Sequence, residues 1–321
     1  MKISAMLLIL MGCISHQAQA QSLYMPRNVK TAFENGTRSM DGNPGAHYWN
    51  NHSNYNIDIT VTPPDRTIKG SEEITYFNES PNPLNTIVFS LIMNYHKPEA
   101  EKMTNLDSIQ LTSGIQIDHF AINGNETDWP GIEENYTRQN IILSKPLMPG
   151  DSMHFSVQWH YEIAPAFVRN GRSEREGMID PTTYCLAYFY PCVSVYDDYN
   201  GWDMLPFTGA QEFYNDFSNY SLNVNVPKNF IVWATGTLQN PNEVLQPHYA
   251  GLLEKSMTSN SVIHIATAQN LESKNITNQN AMNTWKWKAN DVTEVALFIS
   301  DHDNWDAAST IVDSTTGRRA S

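Results

Sequence analysis

The sequence predicts an all-β protein, a large sandwich or saddle, and three observations carry that reading. Apolar residues recur at every second position in one segment after another, the period of a half-buried strand. These segments are short and are separated by Pro, Gly and Asn, the residues that set turns. No stretch of helical length sustains a period of about 3.6 residues, and no internal repeat stands out.

Taken in order, residues 1–20 read as a secretion signal. Lys2 supplies the positive charge, the apolar run that follows is too short to span a bilayer, and Ala18 and Ala20 flank the expected cut before Gln21. Leu10-Met11-Gly12-Cys13 is similar to a bacterial lipobox, so a lipoprotein anchored at Cys13 is the alternative. Either form is expected outside the cytoplasm, secreted or periplasmic. No later apolar run is long enough for a membrane helix.

Residues 21–45, polar and rich in Asn and Gly, read as an extended lead-in. One β domain is expected over residues 46–305. It opens with Tyr55, Ile57, Ile59 and Val61 on one strand face, opposed by Asn56, Asp58, Thr60 and Thr62. "IKGSEEITYFN" and "NTIVFSLIMNYH" follow as strands, then "IQIDHFAINGNE", whose Asn123-Gly124 pair is a hairpin signal. Pro149-Gly150-Asp151 joins two more, the second presenting Phe155, Val157, Trp159 and Tyr161 on one face. Leu222, Val224 and Val226 repeat the theme, and "VIHIAT", "NTWKWKA" and "VALFIS" close it. Residues 306–321 drift into small polar residues without a closing element and are expected to mark a truncation point.

A formal net charge of −14 argues against a nucleic-acid partner, because phosphate backbones are bound by clustered Lys and Arg. Metal chemistry lacks its usual signature, since there is no H-E-x-x-H. His154 and His160 share a strand face, but six residues at about 3.3 Å each set them roughly 20 Å apart. Asp301-His302-Asp303 reads as a turn. No G-x-S-x-G elbow and no phosphate-cradling glycine loop appears. Glu72-Glu73, Glu133-Glu134 and Asp197-Asp198 are adjacent pairs whose members point apart, and they read as solvated or turn-making. Cys185 and Cys192 would lie on opposite faces of one straight strand, which forbids a bridge; a bend at Pro191 would permit it. A disulfide and two buried thiols both stay open.

The densest feature runs from Tyr184 to Phe207, "YCLAYFYPCVSVYDDYNGWDMLPF". Val193, Val195 and Asp197 alternate with Ser194, Tyr196 and Asp198 until Asn200-Gly201 turns the chain and Trp202 packs back. Aromatic rings with polar tips suit a cleft margin or an inter-domain seam. A carbohydrate platform uses the same residues, so composition alone leaves both readings open.

This stretch and its continuation resemble the N-terminal β domain of the aminopeptidase N-type zinc metallopeptidases, particularly secreted bacterial members. The resemblance rests on Tyr190-Pro191, Val195-Tyr196-Asp197-Asp198, Gly201-Trp202, Gly209 with Glu212-Phe213-Tyr214, Val226-Pro227 and Ala234-Thr235-Gly236. It extends from about Tyr48 to Ile299. It implies a saddle-shaped antiparallel β domain that walls the substrate cleft of a catalytic zinc domain, with Tyr188, Tyr190, Tyr196, Asp197 and Trp202 as cleft-wall residues. Relatives place a Gln or Glu before the Tyr-Pro pair to hold the substrate's amino terminus; here the nearest position is Tyr188. Glu294 stands where relatives have Asp.

The family's G-x-M-E-N strand and H-E-x-x-H helix are absent from this sequence. "GAQEF", at Gly209 to Phe213, belongs to the β-domain motif and does not take the G-x-M-E-N role. The expectation is therefore no catalytic, cofactor or metal residue in this chain. Zinc is expected only in a full-length relative, and peptide substrate is expected through a missing or separate catalytic domain. The rival reading is a stand-alone sandwich that binds peptide or glycan through its aromatic strip, and a third is a truncated reading frame without an independent role.

Overall fold

The structure is a computed structural model. It describes residues 24–131, 136–166, 176–209 and 214–321, with backbone alone at 168–169 and 172–173. The signal and lipobox readings, the Glu133-Glu134 pair and the Glu212-Phe213 part of the motif run lie outside the described residues. The chain divides into two compact units, Met1–Tyr48 and Trp49–Ser321.

In the first unit the segment expected to be extended contains a helix, Arg27–Glu34. Eight residues are too few to display a period; only Val29, Ala32 and Phe33 mark the apolar side, and Ala32 alone is buried. Thr37 Oγ1 donates to the Ala32 carbonyl at 2.9 Å and ties the following turn back to the helix.

The second unit is all-β, as the alternation predicts. The first seven strands are β1 (His52–Thr60), β2 (Thr67–Phe77), β3 (Leu84–Ser90), β4 (Gln116–Ile122), β5 (Asn125–Glu126), β6 (Arg138–Leu147) and β7 (Ser152–Glu162). An eight-stranded sheet runs Thr237–Leu238, Met282–Val292, Ser218–Pro227, β1, β2, β7, β4, β5. Tyr55, Ile57 and Ile59 of β1 are buried while Asn54, Asn56 and Asp58 are exposed. Phe155, Val157, Trp159 and Tyr161 of β7 alternate in the same way. At the centre β1 pairs with Ser218–Pro227 in parallel, bringing Ile57 beside Leu222 and Ile59 beside Val224. The other strand pairs of this sheet are antiparallel, in keeping with the expected fold class. Gly70 of β2 faces Trp159, whose ring occupies the space where a side chain would stand, 2.3 Å from an added Cβ.

Two smaller sheets supply the second layer. One orders Gly177–Asp180, Thr183–Ala187, Ala296–Ser300 and Ile231–Ala234; the other orders Cys192–Val193, β3 and β6. Ring contacts join them to the large sheet: Phe89 meets Phe155 edge-on at 5.3 Å, and Trp159 meets Phe189 at 6.2 Å. One continuous apolar core results.

Three short helices, Pro241–Val244, Pro247–Ser256 and Ala268–Glu272, interrupt the β pattern where none was expected. The longest has ten residues. Their signals are local: Pro at the first turn of two of them, and a reciprocal Thr267–Asn270 cap on the third. The tail is also more ordered than expected, because Thr310–Asp313 pairs with Arg318–Ala320 as a hairpin. Arg319 pins it, with its guanidinium on Ser309 and Asn260. Among the described residues no helix is long and apolar enough to cross a membrane.

Candidate functional site

The aromatic stretch splits into three parts with different surroundings. Its first strand, Thr183–Ala187, pairs with Ala296–Ser300. At its end the Glu176 carboxylate side chain accepts the Ala187 N–H and the Tyr161 hydroxyl, the latter at 3.0 Å. Burial dominates these two bonds and pushes the Glu176 carboxyl up to about 8. Tyr188 then takes φ of +59°, left-handed backbone that a bulky residue rarely adopts. The chain reverses there, and Tyr188 stays half-buried.

The second part dives into the core. Tyr190 is 4% exposed, a core ring. It packs edge-on against Tyr55 at 5.7 Å and Tyr220 at 6.0 Å, which stack on each other at 4.9 Å. Its hydroxyl shares a hydrogen bond with that of Tyr220, and burial drives the Tyr190 phenol well above its ordinary range. Pro191 does bend the chain, since Cys192–Val193 joins β3 in another sheet, but no disulfide joins the two cysteines. Burial pushes the Cys185 thiol up to about 11 and that of Cys192 to about 12. Both are protonated and unreactive near neutrality.

The third part is the rim. Tyr196–Asp197 and Gly201–Trp202 form a small hairpin whose turn uses Gly201 at φ +74°. Asp197 Oδ1 accepts the N–H groups of Tyr199 and Asn200 at 3.1 and 2.6 Å, so this carboxylate builds the turn. Trp202 packs back as expected, edge-on to Tyr196 at 5.3 Å and 6.0 Å from Tyr76. Tyr196, Asp197 and Trp202 are brought together here, all half-buried. Arg138 anchors the hairpin from below, its Nη2 3.0 Å from Asp203 Oδ2 while Asp203 N–H bonds the Val195 carbonyl.

A small cleft is lined by Tyr55, Tyr76, Cys192, Asp216, Ser218 and Tyr220, among others, and holds about 10 Å³, the space of about one water. Asp216 was not singled out from the sequence. Burial, then the nearby Asp197, pushes its carboxyl up to about 7. Its parity gives it away: it precedes the strand Ser218–Pro227 in step with the buried Ser218, Tyr220 and Leu222. Glu72 was expected to be solvated, yet it is 2% exposed on β2. It too has the parity of buried neighbours, Ile68, Ile74 and Tyr76.

Metal-ligating types are spent on ion pairs. His154 pairs with Glu73 at 3.2 Å, His160 with Asp118 at 2.7 Å, and Asp301 with Lys274 at 2.8 Å. Among the described residues no three His, Cys, Asp or Glu side chains converge on a metal-sized site.

No protein-family model matches the chain, and no curated protein does. Among solved structures the fold is similar to zinc metallopeptidases of the M1 class. A mutant M1 zinc metallopeptidase from Deinococcus radiodurans bound to a Tyr-Ser-Ala substrate gives a TM-score of 0.44 at 12% identity, over 80% of this chain and 44% of that one. The M1 zinc metallopeptidase from the same organism gives 0.41 at 14% identity, over 80% and 43%. The chain thus spans less than half the length of these structures, and a likeness of this size assigns neither activity nor substrate.

Proposed function

We propose that this chain is the N-terminal β domain of a zinc metallo-aminopeptidase of the aminopeptidase N type, acting as scaffold and wall of the substrate cleft. The observation that carries the reading is the ordered motif run from Tyr190-Pro191 to Ala234-Thr235-Gly236, whose Tyr196-Asp197 and Gly201-Trp202 members meet in one half-buried rim hairpin. In this reading a separate catalytic domain would hold the zinc, which would supply Lewis-acid chemistry there, while Tyr188, Tyr196, Asp197 and Trp202 shape the wall that peptide meets. Tyr190 supports that wall from the core. The signal-like residues 1–20 support a secreted or periplasmic site, with anchorage at Cys13 as the alternative.

The deciding experiment is to read the coding sequence next to the Ser321 codon in all three frames. A G-x-M-E-N segment followed by H-E-x-x-H is expected; an unrelated gene there refutes the reading. A second function, binding of peptide or glycan by a free-standing sandwich, is favoured by the Tyr76–Trp202–Tyr196 ring cluster at the rim. Saturable binding that is lost in Trp202→Ala with the fold intact would select it, and absence of binding across peptide and glycan arrays would dismiss it.

A further inference from the structure

Glu72 occupies a position that nothing around it compensates. Its strand partners are Ile57 on β1 and Val157 on β7, both buried. Neither carboxyl oxygen has a hydrogen-bond partner, and no cation pairs with it among the described residues. The titratable groups that act on it are Glu73, on the opposite face of its own strand, Tyr220 across β1 and Cys192 from the second layer. None carries positive charge. Arg138 and Glu294 are felt at Cys192; the two terminal nitrogens of Arg138 bond Ser90, the Thr137 carbonyl and Asp203, while its Nε bonds neither Glu72 nor any other group. An ionised carboxylate in such surroundings is disfavoured, and burial raises the Glu72 carboxyl well above its ordinary range.

We propose that Glu72 is a proton-operated latch: as the neutral acid it lets the inner face of the large sheet close, and on ionising it admits water and loosens the strands behind the cleft-lining Tyr220 and Cys192. The sign follows from linkage. Burial raises the carboxyl well above its ordinary 4.5 in the folded chain, whereas the unfolded chain releases the proton near that value. Glu72 therefore contributes stability that is fully present below the ordinary glutamate range and is lost as pH rises through the folded-state value.

The test uses the full chain and its Glu72→Gln variant, unfolded in urea at a series of pH values from 5 to about 9, a span chosen to exceed the ordinary glutamate range. One proton corresponds to about a tenfold rise per pH unit in the unfolding constant of the wild type relative to Glu72→Gln. Backbone amides of β1 and β2 are expected to lose exchange protection at the alkaline end in the wild type and to keep it in the variant. Parallel pH dependence in the two proteins overturns the proposal. Glu72→Leu supplies the same comparison should the amide fail to fold, and failure of that variant also counts against a neutral, apolar-like role for Glu72.

Discussion

Replacing Arg138 by Met is the most informative single perturbation of the seam. Arg138 and Asp203 keep only 10% and 14% of their side chains exposed, with Nη2 and Oδ2 3.0 Å apart. Nη1 also donates to Ser90 Oγ at 2.5 Å and to the Thr137 carbonyl. Without the guanidinium, Asp203 retains one side-chain hydrogen bond, from the Leu205 N–H at 3.1 Å, for a largely buried charge. Breaking a buried pair in this way costs about 3–5 kcal/mol. The Arg138 Nε has no partner even in the intact protein, which places the expected loss at the lower end, about 3 kcal/mol. Methionine keeps the packing of the aliphatic stem, so the loss reports on charge rather than volume. The assay is urea unfolding followed by tryptophan fluorescence, with Arg138→Met, Asp203→Leu and the double variant forming a cycle. The double variant should recover to within about 1 kcal/mol of the wild type, since two well-packed apolar groups replace a buried pair at little cost. A loss under about 0.5 kcal/mol for the single variant would match a surface pair and refute the argument. A double variant as unstable as Arg138→Met would refute it equally.

Gly70→Ala is expected to destabilise by about 1–3 kcal/mol in thermal or urea unfolding, because Trp159 is fixed between Tyr161 and Phe189 and cannot yield to the new methyl; an unchanged midpoint would show that the ring moves. Glu176, raised to about 8, favours the folded state fully below the ordinary glutamate range and loses that contribution as pH rises to its folded value. Across that window Glu176→Gln should remove a slope of about 1.4 kcal/mol per pH unit, and equal slopes in the two proteins would contradict the assignment. Iodoacetamide at pH 8 should label native Cys185 and Cys192 slowly, since only roughly one thiol in a thousand is ionised for Cys185 and fewer for Cys192. Rates equal to those of the urea-unfolded chain would rule out the half-buried, raised thiols described here.

The strands were legible because their alternation is strict and their inner face is buried along its length. Tyr55, Ile57 and Ile59, or Phe155, Val157 and Trp159, cannot exchange faces without exposing every apolar side chain they carry. Pairing was not legible in the same way. β1 meets Ser218–Pro227 across 165 residues, in the parallel sense, and neither strand contains a mark that names the other. The short helices escaped because ten residues or fewer show no reliable period, and only their Pro and Thr starts were visible. Within the candidate site the Asn200-Gly201 turn and the return of Trp202 were readable, since both are local. Whether a ring ends half-buried or in the core depends on what the second layer covers, so the burial of Tyr190 and the half-burial of Trp202 could not be told apart from the sequence.

Glu72 and Asp216 show where composition misleads and position informs. Both are acids in a chain of net charge −14, and by composition each belongs in solvent. By parity each belongs inside: Glu72, held within its strand, is buried, and Asp216, just ahead of its strand, is half-buried, because a strand cannot turn one residue outward without displacing its neighbours. The same reasoning separates two roles within the seam. Tyr190, Tyr220, Cys192, Ser90 and Arg138 form a polar joint between the layers, continued to Asp203, so changes there act on the fold. Tyr196, Asp197 and Trp202 stand beyond that joint on a hairpin whose own turn is self-contained. Changes at Tyr196 or Trp202 are therefore expected to act on the hairpin and its packing before they act on the sheets.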